Sequence, residues 1–190
     1  MRHPMQWRNT TDAWGLPAIL LHWLVALGLF GLFGLGLWMT GLDYYHPWYR
    51  RAPDLHRSIG SLLFLLVLLR LGWRLLNPTP TALPNHLPWE HLAARLVHWL
   101  LYLLPLLVML SGYLISTADG RAVSVFDWFE LPALLTGLEQ QEEVMGRLHK
   151  LLAWGLIGTA AVHTSGALKH HFFDHDTTLT RILGSTKEQP

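Results

Sequence analysis

Four long apolar segments, separated by polar stretches rich in Pro, Tyr and acidic residues, organise the chain. No Asp, Glu, Lys or Arg occurs in the 30 residues between Asp12 and Asp43, and about 20 apolar residues suffice for a helix to cross a bilayer. A first helix is therefore expected over about 19–39, after a polar lead-in ending at Leu16. The run is too long for a signal peptide, and no small-x-small cleavage site follows Trp38.

A second helix is expected over about 56–76, although its charge-free part, Ser58 to Leu69, covers only 12 residues. Arg70 and Arg74 must then lie in or near the lipid boundary, where they can snorkel. Asn77-Pro78-Thr79-Pro80 ends this helix, since proline cannot continue it and disfavours helix before it. A third helix, about 89–115, follows Pro88, and a fourth, about 146–170, is charge-free over the 18 residues from Leu151 to Leu168. The pattern implies an all-α membrane protein, a four-transmembrane-helix bundle forming one domain over 1–190, with an outer loop 116–145 and a tail 171–190. A loop of that length, carrying Asp119, Asp127, Glu130, Glu139, Glu142 and Glu143, is expected to hold short helical pieces.

Four spans put both termini and the second loop on one side. That side carries Arg2, Arg8, Arg70, Arg74, Arg95, Lys169, Arg181 and Lys187, eight cations against six opposite, while the acids divide five against eight the other way. The positive-inside rule then places both termini in the cytoplasm.

Composition agrees: 51% of residues are hydrophobic and 14% charged, with a mean hydropathy of +0.26. Tyr44, Tyr45, Trp48 and Tyr49 form an interfacial aromatic cluster. The formal net charge of +1 says little about partners, and no nucleic acid is expected among them. The absence of Cys excludes disulfides, thiolate-held iron–sulfur clusters and covalent C-x-x-C-H haem attachment. Any haem must be bound non-covalently through His or Met.

The twelve histidines can be sorted by depth. His149 and His163 stand 14 residues apart on the fourth helix, so they leave one face roughly 21 Å apart along the axis. His22 lies one turn inside the first helix, level with His163, and His56 opens the second helix, level with His149. Two pairs at two heights, His22 with His163 and His56 with His149, are what bis-histidine ligation of two stacked b-type haems requires. The 14-residue interval recurs: Gly36 follows His22, and Arg70 follows His56. Gly36 would let a porphyrin approach the backbone, as would Gly60 one turn after His56, although the first helix also carries Gly28, Gly31 and Gly34, which fit simple helix packing. A guanidinium at Arg70 is placed to pair with haem propionates, and Arg74 either does the same or reaches anionic lipid. His98 sits at the inner height, where by depth alone it could replace His22 or His163 as a ligand, and it ranks instead as a group that hydrogen-bonds a propionate or a quinone. His46, His86, His170, His171 and His175 fall in loops or the tail, where a solvated reading is favoured.

Leu21-His22-Trp23, Asp54-Leu55-His56-Arg57-Ser58-Ile59-Gly60, Arg70 through Arg74 with Asn77-Pro78-Thr79-Pro80, Leu148-His149-Lys150 and Ala167-Leu168-Lys169-His170-His171-Phe172, continuing to Asp176-Thr177-Thr178-Leu179-Thr180-Arg181, together resemble the bacterial cytochrome b561 family of dihaem membrane proteins. The outer loop is longer and more acidic than in that family's shorter members. The resemblance implies two haems b, axial ligation by His22, His56, His149 and His163, and a place in the bacterial inner membrane. It also implies electron transfer between the quinone pool and an outer partner. Similar proteins oxidise superoxide and pass the electron to ubiquinone. Arg57 and Lys150, each next to an outer ligand, could steer such an anion, or pair instead with loop carboxylates and lipid phosphates. Two alternatives stand beside this superoxide:ubiquinone oxidoreductase reading. One is a relay subunit that passes quinol electrons to a periplasmic redox protein through the acidic loop. The other is a haem-free, His-lined metal transporter, which the lack of intramembrane carboxylates disfavours.

Overall fold

The computed structural model describes residues 6–83 and 86–184; Arg2 and Lys187 lie outside them. Its helices are α1 (Leu16–Met39), α2 (Arg51–Leu76), α3 (Pro88–Ser116), α4 (Gln141–Phe172) and a short α5 (Thr178–Ile182). The first four are long and apolar enough to cross a membrane. Each of α2, α3 and α4 runs past its charge-free core into polar sequence at one end or both. As a result, His56 stands more than one turn inside α2 and His149 more than two turns inside α4, where the sequence pattern put both at helix openings. His170 and His171 belong to the last turn of α4, not to a tail.

Local chemistry explains several boundaries. Pro17 and Pro88 sit in the first turns of α1 and α3, where a missing N–H costs nothing. Glu90 Oε2 accepts the Leu87 amide at 2.8 Å and so caps α3. The outer loop contains a hairpin rather than helical pieces, with β1 (Val123–Val125) antiparallel to β2 (Phe129–Leu131) and Val123 opposite Leu131. Its turn places Phe126 and Asp127 at positive φ, 52° and 58°, the backbone of a type I′ turn.

The hairpin is fastened to α2. Ser58 Oγ accepts the Phe126 amide at 3.2 Å, and Val125 and Ala52 are fully buried. At the opposite end, three parts of the chain converge. The Thr81 amide donates to Thr11 O at 2.8 Å, Arg181 Nη1 donates to Thr81 O at 3.0 Å, and Trp23 Nε1 donates to Ile182 O at 3.1 Å. The closest helix packing is of α3 on α4 and of α1 on α2. Between the two ends lies an apolar layer of Val25, Leu63 and Val67, covered by Leu29, Leu32, Leu66, Leu106 and Met109. Gly28 admits Leu63 here: a Cβ at Gly28 would stand 2.8 Å from Leu63 Cδ1. Leu and Trp side chains exposed along the helices face outward, as they should in lipid.

Candidate functional site

One face of α4 carries His149, buried Leu156, His163 and His170 at seven-residue intervals, close to two helical turns each. The structure sets the first and third opposite partners from other helices. The rings of His56 and His149 have centroids 6.2 Å apart, and those of His22 and His163 are 6.3 Å apart. Two imidazoles on opposite sides of one metal ion, with bonds of about 2.0 Å and ring radii of roughly 1.1 Å, hold their centroids about 6.2 Å apart. Both separations fit a metal ion shared between rings. His98 lies closer to His163, at 5.2 Å, which suits a neighbour of that ring better than a partner across a metal.

Around the outer pair the surroundings hold one imidazole in place. His149 Nδ1 lies 2.9 Å from Val108 O, and a carbonyl can only accept. The proton is therefore on Nδ1, and Nε2 keeps its lone pair for a metal. Ser111 Oγ stands 3.2 Å from the same nitrogen and donates to Val108 O at 2.8 Å. His56 Nδ1, by contrast, is buried without a hydrogen-bond partner. Two glycines face these rings: a Cβ would stand 3.3 Å from His56 Cε1 at Gly36 and 3.1 Å from His149 Cε1 at Gly112. Gly60 meets only Leu32, at an ordinary 3.9 Å.

The outer pair opens on a cavity of about 1530 Å³ lined by Gly36, Gly60, Gly112 and Trp154, and reaching the hairpin at Ser124 and Phe126. Pockets for drug-sized ligands run to about 1,000 Å³, so this one accommodates a larger planar group. The orphaned His56 nitrogen, the two glycine shelves and the paired imidazoles all fit a haem. Lys150 and Arg51 line the cavity and have no ion pair among the described residues. Arg57 is bonded to Asp54, and Arg121 to Asp119 at 2.5 Å; that contact holds the Asp119 carboxyl below its usual range. The rim expected from Arg57 and Lys150 thus reduces to Lys150, joined by Arg51.

The inner pair is more polar. Arg70 Nη2 lies 3.0 Å from His22 Nδ1, and a guanidinium can only donate, so this nitrogen accepts and the His22 proton sits on Nε2. The guanidinium also lies over the Tyr102 ring, 5.3 Å from its centroid. Arg74 stacks over Trp14 at 5.6 Å, a protein contact in place of free snorkelling to lipid. Sequence reasoning did not find Gly112, Ser111, Val108 O or Tyr102. All four lie on α3, and their facing depends on how α3 is rotated against its neighbours. His86 and His170 are not solvated singly, since their rings stack at 3.9 Å.

Residues 13–185 match the family described as prokaryotic cytochrome b561. The chain is 47% identical over 182 residues to cytochrome b561 homolog 2 of Escherichia coli (strain K12), covering 96% of this chain and 97% of that protein. It is 27% identical over 169 residues to the probable superoxide oxidase CybB of Yersinia pestis, covering 86% and 91%. It is 26% identical over 175 residues to cytochrome b561 homolog 1 of Escherichia coli (strain K12), covering 89% and 96%.

Proposed function

Since this chain belongs to the prokaryotic cytochrome b561 family of haem b membrane proteins that carry electrons across a membrane, we propose that His56 with His149 and His22 with His163 each hold one haem b. Bound between such imidazoles, haem iron supplies reversible one-electron chemistry. The chain's own part is to orient, screen and charge the two sites. Val108 O and Ser111 aim His149. Gly36 and Gly112 leave room beside the outer rings. Arg70 brings a fixed positive charge to the inner pair and is the group best placed for carboxylates there. Ligation through His22 Nε2 requires Arg70 to release Nδ1, which frees the guanidinium for propionates, and His98 beside His163 is a second donor at that level.

The reaction we assign is oxidation of superoxide at the outer side and reduction of ubiquinone from the inner membrane's quinone pool. Two superoxide anions each lose one electron and leave as O₂, while one ubiquinone takes up two electrons and two protons. The observation that carries this reading is the wide outer cavity beside His149, with Lys150 and Arg51 lining it unpaired. A small anion would be drawn toward that edge. The positive-inside bias orients this end to the periplasm. The relay to a periplasmic redox protein is the competing reading, favoured by the acidic residues of the outer loop.

Stopped-flow reduction of the purified protein by superoxide separates the two. Rapid reduction of the visible haem bands is expected, slowed several-fold by Lys150→Gln and less by Arg57→Gln. A protein that superoxide does not reduce has no such activity, and the relay reading replaces it. Pyridine haemochrome quantification should give two haems b per chain, and a single haem would refute the four-ligand assignment.

A further inference from the structure

The packing of α3 against α4 follows a single register. Seven residues along α3 meet seven residues back along α4: Gly112 stands against His149, and His98 against His163 with ring centroids 5.2 Å apart. The same steps set Pro105 level with Leu156 and His91 level with His170, each rung about 10 Å from the next. Pro105 and Leu156 are both buried, so the seam is apolar between the two histidine levels. Below the inner level it carries imidazoles instead. His86, from the connection between α2 and α3, packs on both members of the lowest rung, stacked on His170 with ring centroids 3.9 Å apart and tilted against His91 at 5.6 Å.

Each stacked ring is hydrogen-bonded to its own carboxylate. His86 Nε2 lies 2.6 Å from Asp176 Oδ2, and His170 Nδ1 lies 2.6 Å from Asp174 Oδ2. Hydrogen bonds from Lys169 and His170 hold the Asp174 carboxyl below its usual range. Burial opposes ionisation of Asp176, but bonds from His86 and the Thr178 amide outweigh it. Both carboxylates therefore accept and each imidazole donates, so the nitrogen that gains or loses a further proton is Nδ1 of His86 and Nε2 of His170. A proton on one ring repels a second on the other at stacking distance, and the pair carries one extra proton at a time. Asp174 is the more open carboxylate, 27% exposed against 6% for Asp176, which makes it the side of entry from water. Other charged or titratable groups around the pair are Glu90 and His91 of α3 and Lys169 of α4, whose Nζ lies 2.7 Å from both Glu90 Oε1 and Asp174 Oδ2. His175 lies in the same connection as the two carboxylates, and Arg181 of α5 donates to Thr81 O.

We propose that the His86–His170 stack, with Asp174 and Asp176, is the proton entry for ubiquinone reduction, taking protons from the inner side and releasing them along the α3–α4 seam toward the His98–His163 rung. This role rests on the reading of ubiquinone as the electron acceptor. Quinone reduction consumes one proton per electron. Electrons come singly from haem iron and protons come singly from the stack, so two rounds of each complete one quinol. In each round an imidazolium N–H bond breaks, and the neutral ring regains its proton from water by way of Asp174. The next rung lies about 10 Å away, a span of about three hydrogen-bonded waters. The buried rung of Pro105 and Leu156 ends the route before the outer level.

The test uses the full-length protein with its haem in detergent. The reduced protein is mixed with a short-tailed ubiquinone, and haem reoxidation is followed by stopped flow between about pH 6 and 9. His86→Ala and Asp176→Asn should each slow reoxidation about tenfold or more at the alkaline end, where protons are scarce, and much less at the acid end. Haem content and midpoint potentials should stay as in wild type. Imidazole added to His86→Ala should restore most of the lost rate and should leave the wild-type rate unchanged. His46→Ala, in the connection between α1 and α2, should follow the wild-type profile. Should His86→Ala lose its Soret band, the pH profile of Asp176→Asn alone decides. Variants that match a reactive wild type at every pH, or that are slowed equally at every pH without rescue by imidazole, overturn the proton entry and leave the quinone reading standing. Wild-type haem that the quinone does not reoxidise overturns both.

Discussion

The outer and inner histidine pairs have nearly the same ring separation, 6.2 and 6.3 Å, but differ in what surrounds them. The outer pair is held by neutral groups: a carbonyl and a hydroxyl on His149, glycines beside both rings, and an open cavity. The inner pair sits among cations and a further imidazole, with Arg70 on His22 and His98 against His163. Equal spacing fits the same ligation chemistry, whereas unequal surroundings separate the electronic properties of the two sites, since nearby charge and hydrogen bonds tune a haem's potential. The outer site is shaped for access and the inner one for charge.

Removing one ligand from each level tests the comparison most severely. His163→Ala should abolish the inner haem and His149→Ala the outer, each leaving about half of the wild-type haem by pyridine haemochrome. Loss of both haems in either variant would mean that the levels are not independent. Gly112→Val should act at the outer level alone. Its Cβ would press on His149 at 3.1 Å, and displacement of a ligand's supports typically weakens affinity by 10–100-fold, readable by haem loss to apomyoglobin. A variant that keeps its outer haem as tightly as wild type would remove the glycine shelf from the account.

Arg70→Gln should spare haem content and lower the inner midpoint potential by on the order of 50–100 mV, the worth of a nearby charge at an effective dielectric of about 20. The outer potential should move much less. Equal shifts at both levels would erase the distinction drawn here. The smallest effect concerns pH. Asp174 and Asp176 both have their carboxyls lowered from the usual 3.8, so the stability they add is complete above that value and is lost as pH falls through the lowered pKa. The protection of the α5 amides against hydrogen exchange, taken relative to the intrinsic rate at each pH, should therefore fall below about pH 4, before that of the outer hairpin does.

Much of this arrangement is legible in the chain itself, for physical reasons. Lipid imposes length and apolarity on every span, and a 14-residue interval on one helix sets two heights without knowledge of any neighbour. Charge-free runs, however, mark the lipid-facing core and not the helix, which explains why α2 and α4 begin five residues before the expected positions. The hairpin escapes notice because Phe126-Asp127 occupies a turn that usually takes Asn-Gly, and its strands have three residues each. Gly112 and Ser111 escape for a different reason. Nothing within α3 indicates which of its faces meets His149. The stacking of His86 on His170 joins positions 84 residues apart and is invisible until the bundle closes.

The apolar layer of Val25, Leu63 and Val67 lies between the two histidine levels and separates them with buried apolar side chains. Those levels are roughly 21 Å apart along the helix axis, against a hydrocarbon thickness of about 30 Å. With one haem at each level, as proposed, an electron moving from one to the other would traverse about two-thirds of the transmembrane voltage drop. At about 2.3 kcal/mol per charge per 100 mV, a typical bacterial membrane voltage would bias the balance between the sites by more than tenfold, so the energised state of the cell would itself set which haem holds the electron.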